Sequence, residues 1–312
     1  MKCLVTGAAG LVGANLCKEL VKRGHSVVAF DNFLFPETWQ NLAGLNIPVC
    51  CGDIGNNSDV SQLARYEFNV IFHQAAISNT LEKDVRELFR VNVEGFRNIL
   101  AFGKQWAKTG IIYASSASTY GTKEGICTET DVQTPLNPYA WTKKLNDIDA
   151  MTVLDYPVIG LKYFNVYGPG EEHKSHMTSV IGQKINQVFS GKAPTLFKGG
   201  KQRRDWIYID DVVDANILAA KALLNEVTGV FNCGTGESNS FNEVYSTIQN
   251  NVDDILPIEW IDNPYKAQYQ SYTEANITNF KEHIGDMEYT SLDKGIKKYV
   301  LYEFKKREGI VD

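Results

Sequence analysis

Cys3-Leu4-Val5-Thr6-Gly7-Ala8-Ala9-Gly10-Leu11-Val12-Gly13-Ala14-Asn15 joins an apolar, strand-sized run to a glycine-rich turn and then to a helical pattern. A strand that passes through such a turn directly into a helix is the opening of a dinucleotide-binding unit. Gly7 and Gly10 permit the tight turn and the close approach of a pyrophosphate, and Gly13 lets helix and strand pack closely. Leu11 and Val12 begin the helix, whose free N–H groups and positive dipole end face the phosphates.

Outward from that turn the chain alternates. Short apolar runs at 3–5, 26–30, 49–51, 70–72, 110–114 and 158–163 read as buried strands, with helical patterns at 11–23, 81–108 and 139–154 between several of them. This alternation predicts an α/β fold, a Rossmann-type doubly wound parallel sheet with helices on both faces. After Pro169 the pattern loosens, and 206–224 with 230–233 returns to the main sheet. The expected division is a cofactor domain of residues 1–169 plus about 206–233, and a smaller C-terminal α/β substrate domain of about 170–205 and 234–312. Ligand is expected at the carboxyl ends of the strands, between the two parts.

The bulk numbers exclude several classes. With 31 basic against 37 acidic residues the net charge is −6, which argues against a nucleic-acid partner. The longest apolar stretches are strand-sized, so no membrane span is expected. Met1-Lys2 runs straight into the first strand, which leaves no room for a signal peptide. The six cysteines have no metal spacing and mostly sit among apolar neighbours, as buried thiols of a reducing cytoplasm do. No metal site is expected.

Two further stretches carry chemistry. The second strand ends in Phe30-Asp31-Asn32, and a carboxylate there suits the free ribose hydroxyls of NAD and repels a 2′-phosphate. No Lys or Arg lies between Asp31 and Arg65, so NAD is the expected cofactor, with NADP as the alternative. Tyr139 and Lys143 stand four residues apart, one turn of a helix, on one face. The ammonium favours a tyrosinate and is expected to lower a pKa of about 10 towards working pH, while Ser116 shares the proton. Such a group removes a proton from an alcohol or sugar hydroxyl as hydride leaves the same carbon.

With these residues the chain resembles the extended short-chain dehydrogenases/reductases that act on nucleotide sugars. The likeness lies in the Gly7-x-x-Gly10-x-x-Gly13 spacing, His73-Gln74-Ala75-Ala76, Asn92, Ala114–Gly121, Tyr139–Lys143, Tyr163–Pro169 and Arg204–Asp211, nearly the whole length. Within them, three stretches are similar to the branch that epimerises nucleotide-linked manno-heptoses at C6: His173–Met177, Leu196–Gly200 and Tyr269–Thr273. The resemblance implies that Asp53, Ile54, Gln74, Ala75, Ala76, Ser78, Asn92 and Val166 meet the dinucleotide, together with Tyr139 and Lys143. It implies a nucleotide-diphosphate sugar held by Ser78, Ser116, Asn165, His176, Gln183, Phe197, Gly199, Arg204 and Tyr269. Arg204 is expected on the diphosphate and Arg203 in solvent.

An epimerase at an exocyclic carbon must return hydride to the opposite face of a ketone that has turned, so the oxygen points in two directions during the cycle. A second acid/base on the far side is useful. The resemblance implies Tyr139 for one epimer and Lys174 for the other. Lys174 then needs desolvation or a cationic neighbour, for which Lys143 is a candidate. The chain departs from the heptose branch where Thr38 and Asp53 replace lysines, His176 a serine and Gln183 a histidine. The rival readings are an NAD-dependent C4 epimerase or dehydrogenase of another nucleotide sugar, needing only Tyr139, and a cofactor-binding scaffold without turnover. Helices at 86–108 and 139–154 match the pair that makes a dimer interface in many relatives, so a homo-oligomer is expected.

Overall fold

The computed structural model describes residues 1–171, 174, 177–252, 256–263 and 270–310. Its centre is a seven-stranded, all-parallel sheet. From one edge to the other run Gly229–Cys233, Val158–Tyr163, Ala107–Ser116, Phe68–His73, Lys2–Thr6, Ser26–Asp31 and Val49–Cys51. The strand order reverses at Lys2–Thr6 and Phe68–His73, which opens a crevice beyond their carboxyl ends. Because both faces are covered, the central strands are mostly apolar rather than alternating, while the edge strand Val49–Cys51 is partly exposed. One face packs Val5, Phe72 and Ile112 against helices Leu11–Lys22 and Ile209–Leu223; the other packs Leu4, Ile71 and Ile111 against Gly95–Trp106. Each fully buried side chain of this kind contributes about 1.5–3 kcal/mol.

The helix expected over 81–108 starts at Val85, where Asp84 accepts the Glu87 N–H, and ends at Trp106. Ala107 and Lys108 belong instead to the strand, which pairs with Phe68–His73 and runs on to Ser116. Midway, Arg90–Glu94 widens into a π turn. Gly95 follows it, where a Cβ would meet Ile54 at 2.8 Å. The helix Pro138–Thr152 is opened by Asn137, whose side chain accepts from Ala140 N, with proline in the first turn.

Past Pro169 there is more order than the sequence pattern suggests. Asn165–Tyr167 runs parallel to Arg203–Tyr208, which pairs antiparallel with Ser238–Ser240. Helices Val180–Phe189, Phe241–Gln249 and Leu292–Arg307 surround a core of Tyr167, Trp206, Tyr208 and Tyr299. Lys305, Lys306 and Arg307 occupy the last turn of the final helix and are exposed, although Arg307 lies over the Phe189 ring at 5.0 Å. Gly125–Cys127, from the first half, pairs with Thr273–Ala275 near the end. The buried Asp205 carboxylate accepts from Thr235 N, Gly236 N and Ala275 N, tying these segments together. All six cysteines are free; Cys3, Cys17, Cys127 and Cys233 are buried, but Cys51 is exposed on its edge strand.

His73 closes its strand with Nδ1 2.7 Å from Thr6 Oγ1 and its ring stacked on Phe96. Burial, with a smaller contribution from Lys143, pushes its pKa down to about 3. The unfolded chain takes up this proton near pH 6.5, whereas the folded protein refuses it down to about 3. The contribution of this group to folding stability is therefore complete above pH 6.5 and falls by up to about 1.4 kcal/mol per pH unit below it. Denaturant titrations from pH 8 to 4 are expected to show a smaller slope for His73→Asn, which keeps a partner for Thr6.

Candidate active site

A cleft of about 490 Å³ lies beyond the carboxyl ends of the central strands. Its first wall is the glycine turn. Gly7 has φ +64°, and a Cβ there would come within 2.6 Å of Ala75 N; a Cβ on Gly13 would strike the Gly7 carbonyl. Those two glycines let the turn close tightly. Gly10, where a Cβ would meet only the Gly7 carbonyl at 3.4 Å, leaves the backbone bare towards the cleft at the N-terminus of a twelve-residue helix with no acidic residue in its first turn. This wall fits a dinucleotide.

Asp31 stands at the end of the second strand and lines the cleft with Asn32. Its carboxylate accepts from Ala9 N at 2.9 Å and Phe33 N at 2.8 Å, so it also orders the glycine turn. Asp53 and Ile54 line the same end. Asp53 is ion-paired to Arg90 at 2.6 Å and accepts Gly55 N at 2.7 Å. Leu34, Phe35 and Thr38 complete this wall. The sequence reading assigned them no contact; the one local signal was the apolar pair beside Asp31. Phe33, at φ 51°, makes the turn that brings them round.

Gln74, Ala75, Ala76, Ser78 and Val166 also line the cleft. Asn92 does not. It is buried in the π turn, where its amide accepts from Ile77 N at 2.8 Å and donates to Ile77 O at 3.0 Å and Thr142 Oγ1 at 3.1 Å. It holds the wall in place instead of touching what the wall encloses. Gln74 is fixed similarly, in a closed ring with Tyr163 Oη and the buried Asn216.

Ser115, Ser116, Tyr139, Lys143 and Lys174 meet in this cleft. Ser116 ends its strand, and its hydroxyl lies 2.9 Å from Ser118 Oγ. Lys143 donates to Ala114 O at 2.8 Å, with its nitrogen 5.8 Å from the Tyr139 ring centre. Contrary to expectation, Tyr139 is not lowered: desolvation in the cleft pushes its pKa up, and a hydrogen bond with Ser116 works against that. Lys143 is itself brought down to about 8 by burial, opposed by Asp147. Desolvation likewise lowers Lys174, but its charged neighbour is Glu171 at 3.9 Å, not the cation Lys143 proposed from sequence. Glu171 is fully buried and accepts from Ser179 N and Ser179 Oγ.

A second hollow of about 370 Å³ shares Ser78, Val166 and Met177 with the cleft and adds Asn165, Ser179 and Trp206. Other residues expected to meet substrate are engaged elsewhere. Gln183 donates to Thr178 O, and Arg204 to Gln270 O at 2.7 Å; neither lines the two cavities, nor do Phe197 and Gly199. Arg203 is partly exposed, as expected, and forms a solvent-exposed ion pair with Glu243 at 3.2 Å. His176 and Tyr269 lie outside the described residues. Among the described residues no group of His, Cys, Asp or Glu is placed to hold a metal, and no helix is long and apolar enough to cross a membrane.

The NAD dependent epimerase/dehydratase family matches residues 3–234. Among solved structures, the ADP-L-glycero-D-manno-heptose-6-epimerase of Helicobacter pylori is 32% identical, with TM-score 0.89, covering 96% of this chain and 95% of that one. The UDP-glucuronic acid 4-epimerase of Bacillus cereus, in complex with UDP-glucuronic acid and NAD, is 26% identical with TM-score 0.86, covering 98% and 100%. The UDP-N-acetylglucosamine 4-epimerase of Methanobrevibacter ruminantium, at 22% identity and TM-score 0.88 over 98% of both chains, shares the fold.

Proposed function

The chain belongs to the NAD dependent epimerase/dehydratase family, and from that premise we propose that it is a nucleotide-sugar epimerase that inverts C6 of a nucleotide-linked manno-heptose. NAD is the cofactor: the bare glycine wall receives its pyrophosphate and Asp31 its ribose hydroxyls, and no lysine or arginine stands between Phe30 and Thr38 to meet a 2′-phosphate. When bound, NAD supplies the hydride acceptor of the first half-reaction and the donor of the second. The observation that carries the heptose reading is that Tyr139 and Lys174, two acid/base groups from separate elements, line one cleft.

Tyr139 takes the hydroxyl proton of one epimer as the C6 hydrogen departs, with Ser116 on the same oxygen and its hydrogen bond opposing the desolvation that raises the Tyr139 pKa. After the ketone turns about C5–C6, Lys174 gives the proton to the oxygen in its new position. Glu171 favours the protonated ammonium that this second role requires. The segments about 170–205 and 234–312 are read as the sugar-binding part, supported by Lys174, Met177 and Ser179 in the cavity walls. Trp141, Ile148 and Met151, exposed on the helix Pro138–Thr152, support a homo-oligomer.

The test is incubation with ADP- and GDP-linked manno-heptoses, following C6 configuration by NMR and NADH by absorbance. Inversion without net NADH supports the epimerase; a stoichiometric yield of NADH and ketosugar makes it a dehydrogenase. A second reading, C4 epimerisation of a UDP sugar, is favoured by the likeness to the Bacillus cereus enzyme. Lys174→Ala separates them. Loss of a positioned acid/base should cost C6 inversion about 10²–10⁴-fold, whereas a C4 epimerase would keep its rate.

A further inference from the structure

Behind the Ser116 loop runs a buried chain of polar contacts that no step above uses. Lys162, 1% exposed, sits on Val158–Tyr163, the strand beside Ser116. Its ammonium is ion-paired with Asp147 and donates to Thr119 Oγ1 at 2.8 Å. Thr119 Oγ1 donates in turn to the Ser116 carbonyl at 2.9 Å. The other Asp147 oxygen accepts from Tyr113 Oη at 2.8 Å, on the strand that ends in Ser116. Asp147 lies on the helix of Tyr139 and Lys143, one turn beyond Lys143 and two beyond Tyr139, on the same face.

One buried ammonium therefore joins the loop of Ser116 to the helix of Tyr139 and Lys143. Apolar side chains could fill this space at no loss of stability, since desolvating two charges consumes most of what their attraction returns. Directional contacts supply what apolar packing lacks, a fixed spacing between the two elements. We propose that Lys162, acting through Asp147 and Thr119, is a positioning residue that sets the Ser116 hydroxyl against the Tyr139–Lys143 helix for hydride-transfer chemistry. This rests on the reading of Ser116, Tyr139 and Lys143 given above, and holds whichever sugar is turned over.

Thr119→Val cuts the chain at its Ser116 end and leaves the ion pair intact. The assay is turnover of ADP-linked manno-heptose, or of UDP-glucuronic acid where the first is not accepted, with Tyr139→Phe alongside. A misplacement of 1 Å can cost about 100-fold. Thr119→Val is expected to lower kcat at least about tenfold, with KM, NAD affinity and melting temperature near those of the unaltered protein. Thr119→Ser, which restores the hydroxyl, recovers most of the rate. Unchanged kcat in Thr119→Val, with Tyr139→Phe inactive, overturns the positioning role alone. So does a loss of kcat that Thr119→Ser fails to recover. If Tyr139→Phe keeps its rate, or the unaltered protein turns over neither sugar, the underlying reading falls and this proposal with it.

Discussion

Tyr139→Phe is expected to lower kcat by about 10²–10⁴-fold while the protein folds and binds NAD as before. Phenylalanine keeps the ring that the cleft encloses and deletes the hydroxyl proposed to exchange a proton with substrate. Desolvation raises the Tyr139 pKa in the folded protein, so losing its hydroxyl removes no favourable ionised state from the fold. The melting temperature should stay level or rise slightly. Turnover on the accepted nucleotide sugar, NAD affinity by calorimetry and a thermal melt make up the test. A rate within threefold of the unaltered protein would remove Tyr139 from the chemistry and leave Lys174 as the remaining acid/base in the cleft.

Lys162→Met is expected to give the largest loss of stability among single substitutions of polar groups. Its removal leaves Asp147, 3% exposed, as a buried carboxylate with Tyr113 as its remaining hydrogen-bond donor. Breaking a buried pair on one side costs about 3–5 kcal/mol. For a chain of this size that is a fall in melting temperature of roughly 5–8 °C. Adding Asp147→Leu should recover most of the loss, because no uncompensated charge then remains. Additive effects of the two substitutions, measured by urea unfolding, would show that the residues do not act as a pair.

The parts of the fold that were legible are those in which one physical cause governs a whole segment. Most of the seven strands stand out because burial on both faces makes them apolar runs, and the first turn because its glycines answer to backbone geometry alone. The edge strand Val49–Cys51 is partly exposed and shows only in its residue types. The extent of the final helix was not legible: its buried side, Ile296, Tyr299 and Val300, is narrow beside six lysines and arginines from Lys294 to Arg307. At the site, the glycine turn, Asp31 and Tyr139–Lys143 were readable because short spacing fixes their neighbours. Lys162 was hidden inside a strand read as apolar, with a partner fifteen residues back whose approach only the folded sheet defines. Glu171 was missed likewise. The carboxylate beside Lys174 is three residues away, yet its meaning comes from its burial against Ser179. For Asn92 the motif position left two readings open, cofactor contact and a helix-anchoring amide, and its contacts to Ile77 and Thr142 are those of an anchoring amide.

Glu171 has a further partner, the Tyr299 hydroxyl at 3.4 Å, on the final helix. The lysine that shares the cleft with Tyr139 is thereby linked, through Glu171, to a residue well over a hundred positions downstream. Anyone exchanging sugar preference between relatives by grafting the segment around Lys174 would therefore need to transplant the closing helix with it. A graft that left the recipient's own helix in place would carry over the loop's letters without its anchorage.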